Sequence, residues 1–156
     1  MLHTALERLK VKGKSLLPIV QGGMGVGISA HRLAGTVASL GAFGTISSVD
    51  LRRHHPDLME RTGRSRDKGL INEVNLIALD REIKAARELS GGNGAIAVNV
   101  MKAVEEYPSY IRQSCESGAD AVVVGAGLPL DLPELTSDYP KTAIIPILSD
   151  VRGIAV

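Results

Sequence analysis

The sequence predicts an α/β fold built on a parallel sheet. Two observations carry this. Short apolar runs alternate with amphipathic helical stretches along the whole chain. The runs are also continuous in Val, Ile and Ala rather than alternating apolar and polar, as strands covered on both faces are. Right-handed crossovers between such strands leave two architectures, an open doubly wound sheet or part of a closed barrel.

The elements follow in order. Residues 16–21 form the first apolar run and end in a glycine cluster, residues 22–27. Over residues 29–40, Leu33, Val37 and Leu40 fall at helical spacing, with Ser29 placed as N-cap and Gly41 as the residue beyond the C-cap. Residues 42–47 are the second run. Residues 50–70 break the pattern: His54, His55 and Pro56 stand among Arg52, Arg53, Arg61, Arg64, Arg66 and Lys68 with no periodicity. A basic surface insertion, long enough to act as a lid, is expected there. Residues 75–89 read as a helix with Ile83, Ala86 and Leu89 on one side and Arg81, Glu82 and Lys84 elsewhere. A turn at 91–94, a strand at 95–101, a helix at 104–117 closed by Gly118, a strand at 120–125, a short helix at 131–135 and a fifth strand at 142–149 complete the series.

Composition narrows the function classes. The chain has 156 residues, 44% apolar and 22% charged, which suits one domain with its own core. A net charge of +1 and an aromatic content of 3% offer neither a basic field nor stacking rings for nucleic acid. No apolar run has the length of a membrane span, and the first residues do not resemble a signal peptide. The single cysteine, Cys115, cannot form an internal disulfide and reads as an inert helix position. A cytoplasmic protein acting on a small molecule is expected.

The glycine cluster is the strongest local signal. Gly22, Gly23, Met24 and Gly25 follow a strand and precede a helix, so exposed backbone amides stand where a ligand can approach closely. Gly25, Gly27 and Ala30 also spell G-x-G-x-x-A, with Asp50 after the second strand. A flavin or nucleotide site, an NAD-binding Rossmann turn and a ligand-free tight turn all satisfy this pattern. Asn99 interrupts the apolar run 97–101, and a buried amide there must be hydrogen-bonded, to a ligand or to a neighbouring loop. Gly125, Ala126 and Gly127 follow the fourth strand with almost no side chain; they suit the floor of a planar ring or a turn. Ser47, Ser48 and Ser149 end strands and carry little information. His54 and His55 are adjacent rather than four apart, and His3 and His31 show no partner in the sequence, so no metal site is expected. No Ser-His-Asp, paired-carboxylate or P-loop pattern is visible.

At Leu17-Pro-Ile-Val-Gln-Gly-Gly-Met-Gly-Val-Gly-Ile-Ser29 the sequence resembles the first strand and loop of the nitronate monooxygenase family, formerly 2-nitropropane dioxygenases. The flavin-dependent enoyl-ACP reductases share much of it. The likeness continues through residues 33–47, 81–87, 97–101, 118–127 and 146–149, in order along the chain. It implies a (β/α)8 TIM barrel of which this chain carries about the first five strands, so that residues 1–156 are the N-terminal part of one FMN-binding domain.

The resemblance further implies that backbone from Gly22 to Gly25 lies along the flavin ring and that Asn99 hydrogen-bonds to it. It also places Gly125, Ala126 and Gly127 on the substrate side. The family reaction oxidises alkyl nitronates with O2 through reduced flavin, where the protein supplies position and electrostatics. A closed barrel takes roughly 250 residues. The family's Ala-Gly-Gly-His-x-Gly motif, with the active-site histidine, is not found, and the resemblance places it beyond Val156; no catalytic residue is therefore assigned. The expected fragment is inactive or nearly so, and its open strand edges favour self-association. An enoyl-ACP reductase-like enzyme, a non-catalytic half-barrel acting by assembly and an NAD-binding Rossmann module remain the alternatives.

Overall fold

The computed structural model describes residues 4–150. Its centre is a four-stranded parallel sheet, β3 (Phe43–Ser47), β4 (Ala95–Met101), β5 (Ala121–Gly125) and β6 (Ala143–Pro146), joined in sequence order. Register runs Phe43 to Ala95, Ala97 to Ala121 and Ala121 to Ala143. A short antiparallel hairpin, β1 (Leu9–Val11) with β2 (Lys14–Leu16), precedes it. The helices are α1 (His31–Ser39), α2 (Pro56–Thr62), α3 (Lys68–Ser90), α4 (Tyr107–Glu116) and α5 (Leu132–Leu135).

The expected first strand survives only as an edge. Pro18 has no amide proton to donate, and the run pairs with β3 through a single parallel bridge, Val20 to Phe43. Three backbone hydrogen bonds hold it, Leu17 N to Gly41 O at 2.8 Å, Gln21 N to Phe43 O at 2.9 Å and Phe43 N to Ile19 O at 3.0 Å. Counting this edge, the strands lie side by side in chain order without reversal.

Strand residues alternate between two faces. Ile46, Ile96, Val98, Val100, Val122 and Val124 point to one and meet α1, α3, α4 and α5 in the larger core. Phe43, Ala95, Ala97, Ala121 and Ala143 point to the other, where Leu9, Val11 and Leu16 of the hairpin cover them. Apart from Ala97, the covered residues are the first of each strand, so the hairpin closes the amino ends of the sheet. Lys14 fixes it there, its Nζ 3.1 Å from Gly94 O and 2.9 Å from Asp120 Oδ1. The carboxyl ends of the same face stay open. Among the described residues no helix is long and apolar enough to cross a membrane.

Three expectations need correction. Residues 50–70 are not a surface insertion. They fold into a 3-10 turn (Leu51–His54), α2 and the start of α3, and they bury Leu51, Leu58, Arg52 and Thr62. The charge density hid this, because Arg53, Arg61, Arg64, Arg66 and Lys68 are all exposed while only widely spaced apolar residues turn inward. α1 packs on Ala34, Gly35 and Ala38, not on Leu33, Val37 and Leu40; Leu40 is exposed. Small residues win because the helix runs close to α3: a Cβ on Gly35 would lie 2.9 Å from Ala86 O. α3 begins two turns earlier than expected, with Asp67 Oδ1 accepting the Leu70 amide as N-cap at 3.2 Å. Ile83 and Ala86 face inward as expected, but Leu89 is exposed and Glu82 takes a buried place beside them.

Cys115 lies buried on α4, and burial pushes its thiol above the usual range. The thiolate is the reactive form. Alkylation by iodoacetamide at pH 8 is expected to be at least about tenfold slower than for the unfolded chain, measured by mass spectrometry. Equal rates would mean that α4 does not cover the thiol.

Candidate functional site

The open end of the hairpin-covered face collects the residues that the sequence singles out. The glycine loop, residues 22–27, leaves the edge strand and folds back over the carboxyl ends of β3 and β4. Gly23 lies directly on Asn99: a Cβ added to it would be 2.5 Å from Asn99 Cβ. Gly25 approaches Ser47, with a built Cβ 3.2 Å from its Oγ. Gly27, at φ +74°, takes a conformation that favours glycine and is pressed by the His54 ring. These glycines are needed for close approach as well as for turning.

Two side chains hold the loop. Ser29 is not the N-cap of α1; that position is Ala30, with no side-chain cap. Its fully buried hydroxyl accepts from Met24 N at 2.9 Å and from Gln21 Nε2 at 2.9 Å, and donates to Gly22 O at 3.2 Å. The Ser29 carbonyl accepts from Ser47 N at 2.9 Å. Gln21 spans the other side: its Oε1 accepts from Thr45 N at 3.0 Å and its Nε2 also donates to Gly22 O. The Gln21 carboxamide thus extends the ladder that the edge strand abandons. Sequence reasoning placed Ser29 on the helix and gave Gln21 no role; the spacing Gln-Gly-Gly before Ser is the only local signal that both face one turn. Met24 itself is exposed.

Asn99 is half-buried, registered between Ser47 and Val123. Its carbonyl accepts from Ser48 N at 3.1 Å, while no hydrogen bond among the described residues engages its carboxamide. Thr45, on the same face, is buried with its hydroxyl unpartnered. An unsatisfied buried hydroxyl costs about 1–3 kcal/mol, so this face presents polar groups beyond what the fold consumes.

Gly125, Ala126 and Gly127 leave β5 at the same end. Ala126 and Gly127 have φ of +57° and +143°, and Gly127 packs on Lys102. Lys102 fixes this loop: its Nζ is 2.7 and 2.8 Å from the two Asp131 oxygens and 4.2 Å from the centre of the Tyr107 ring. The Lys102 hydrogen bond holds the Asp131 carboxyl below its ordinary range, and burial beside that carboxylate pushes Tyr107 up to about 12. A cleft of about 510 Å³ opens between this loop and residues 147–150. Ser149 lines it, whereas Ser47 and Ser48 are buried.

Two of the histidines, His31 and His55, gain a partner in the fold, whereas His3 lies outside the described residues. Glu82 of α3, 1% exposed, accepts from His31 N at 2.7 Å and lies 2.8 Å from His31 Nδ1. Its other oxygen is 3.1 Å from His55 Nε2. One carboxylate therefore joins the start of α1 to the middle of α3, with the His55 ring at the start of α2 lying against it. No cluster among the described residues has the makings of a metal site. Asp50 is engaged by Arg52 at 2.8 Å and by Arg53, which leaves it poorly placed to hold a ribose. No protein-family model and no curated protein matches the sequence.

Proposed function

We propose that the chain is the first portion of a (β/α)8 barrel that binds FMN non-covalently and belongs to an oxidoreductase of the nitronate monooxygenase type, oxidising alkyl nitronates with O2. The observation that carries the reading is the glycine loop seated on Asn99, whose carboxamide is left without a hydrogen bond at the open end of the sheet. Ligands of α/β folds bind at the carboxyl ends of strands. The winding supports it too. Strands in unbroken chain order, with helices on one face and a hairpin closing the other, suit a barrel wall. A doubly wound dinucleotide fold needs a reversal in strand order, which this sheet lacks.

The residues fit a flavin. Gly22, Gly23 and Gly25 offer backbone with no side chain in the way, and Gly23 has room for nothing larger against Asn99. The Asn99 carboxamide and the orphaned Thr45 hydroxyl supply polar atoms toward one face. When bound, FMN supplies the redox chemistry. The protein's part is to orient: Gln21 and Ser29 fix the loop, Asn99 holds the ring edge, and residues 125–127 shape the substrate side, with the adjoining cleft admitting a small molecule. No described residue is assigned a catalytic proton transfer.

The test is FMN titration of the chain followed by gel filtration. Flavin is expected to co-elute, and Asn99→Ala is expected to weaken binding about tenfold, the worth of one hydrogen bond to a buried partner. Absence of retained flavin, or an Asn99→Ala variant that binds as well as the parent, would remove the reading.

The edges of the sheet favour a second one. Val20 (58% exposed) and Ile19 on one edge, and Ile147 (54%) and Ile144 on the other, leave apolar side chains beside unpaired strands. A half-barrel acting through assembly with a second copy would cover both, and sedimentation as a dimer is the outcome that distinguishes it.

A further inference from the structure

The turn that enters β4 carries a pair of reactive groups that the fold leaves uncovered. Asn93 is followed by Gly94, and both stand between α3 and β4 in the turn of residues 91–94. Asn93 is exposed, as the tips of connecting turns commonly are. Among the described residues its carboxamide makes no hydrogen bond, and neither does the Gly94 amide. These are the two groups that close a succinimide, and no partner holds either of them back. Glycine at 94 also has no side chain to obstruct the ring. The other three asparagines differ in sequence and in backbone. Asn72 and Asn75 lie inside α3 and Asn99 inside β4, and they precede Glu73, Leu76 and Val100.

We propose that Asn93 is a site of spontaneous deamidation and that its isoaspartate product loosens the hairpin from the sheet. The Gly94 nitrogen attacks the Asn93 side-chain carbonyl carbon and forms the new C–N bond. The side-chain amino group leaves with the amide proton as ammonia. Water then opens the imide. Addition at the side-chain carbonyl gives aspartate on an ordinary backbone. Addition at the main-chain carbonyl gives isoaspartate, with the chain routed through one extra carbon. One water enters and one ammonia leaves, with no oxidant or reductant. The extra carbon finds no room on the β4 side. A Cβ on Gly94, at φ +59°, would run into the Ala38 and Ala42 carbonyl oxygens, so this backbone cannot shift toward the end of α1. The Gly94–Ala95 peptide turns instead. It carries the carbonyl that accepts from Lys14 Nζ at 3.1 Å and the Ala95 amide that donates to Ala42 O at 3.1 Å. Lys14 is then left with Asp120 alone to anchor the hairpin. Nothing in this depends on flavin binding.

The experiment is incubation of the full chain at mildly alkaline pH, followed by peptide mass spectrometry. A gain of about one dalton is expected on the peptide that contains residues 91–94, at a rate within about tenfold of that in the chain unfolded by guanidinium. Asn93→Gln should show no such gain, because its longer side chain closes a ring far more slowly; the position is exposed, so the replacement does not endanger the core. The isoaspartate fraction, resolved by chromatography, should exchange the backbone amides of residues 9–16 at least about fivefold faster than the fresh chain. Asn93→Asp adds the same charge on an ordinary backbone and should exchange as the parent does. Deamidation more than about tenfold slower in the folded chain than in the unfolded one overturns the proposal, as does a gain that persists in Asn93→Gln. Hairpin exchange unchanged in the isoaspartate fraction, or equally fast in Asn93→Asp, overturns it too.

Discussion

Gly44→Ala is expected to destabilise the protein by about 3 kcal/mol, the upper part of the range for overpacked cores. In a chain of this size that is a fall of about 10 °C in melting temperature. Gly44 sits in β3 beneath α1, and an added Cβ would lie inside the van der Waals envelope of the Ala34 backbone. Backbone cannot rotate aside as a side chain can. Nor can the helix retreat, since Gly35 on the same turn already meets the Ala86 carbonyl of α3. The start of α1 carries Ser29 and through it the glycine loop, so FMN retention should fall together with stability. Gly91→Ala makes the control: its φ of +59° is strained for alanine but nothing lies within 4 Å, so about 1 kcal/mol is expected. Urea melts of the two variants decide it. Equal midpoints would mean that α1 and β3 do not pack backbone against backbone.

Glu82→Ala should have a comparable effect through a different cause. Its carboxylate is buried and receives the first amide of α1 and the His31 ring, with His55 against its second oxygen. Removal strands two donors in a part-buried site, at about 1–3 kcal/mol each, and about 3 kcal/mol in sum is expected. Glu82→Gln keeps an acceptor for one donor and should recover about half of the loss. The specific signature is the His31 Nδ1 proton, which should be visible by NMR in the parent and exchange-broadened in Glu82→Ala. An Ala variant with parental stability would show that the carboxylate does not join these helices.

Most strands were legible because burial on both faces leaves a local mark. β4 and β5 consist of Ala, Ile and Val almost without interruption, and the expected and observed bounds agree within a residue or two. Gly41 ends α1 as expected, at φ +85°. The hairpin was not legible: three-residue strands such as Lys14–Leu16 carry too few side chains to show a period. Residues 50–70 were misread because apolar spacing was judged against dense charge, and Leu51 and Leu58 alone do not make a visible stripe. At the candidate site, the glycine loop and Asn99 were both chosen from sequence, and the fold brings them into contact. Ser29 and Gln21 were not, because a hydroxyl that bonds back to a loop looks the same in sequence as one that caps a helix.

Local sequence sufficed for the parallel α/β plan, the places where strands end in glycine, and the helical position of Cys115. Each depends on residues adjacent in the chain, so local composition records it. Only the tertiary structure decided which groups meet. Glu82 joins His31 from 51 residues away, and α1 turns its alanines inward because Gly35 and Gly44 let two backbones come closer than leucines would allow. Partners so distant in sequence are selected by packing and hydrogen-bond satisfaction in three dimensions, which no window along the chain contains.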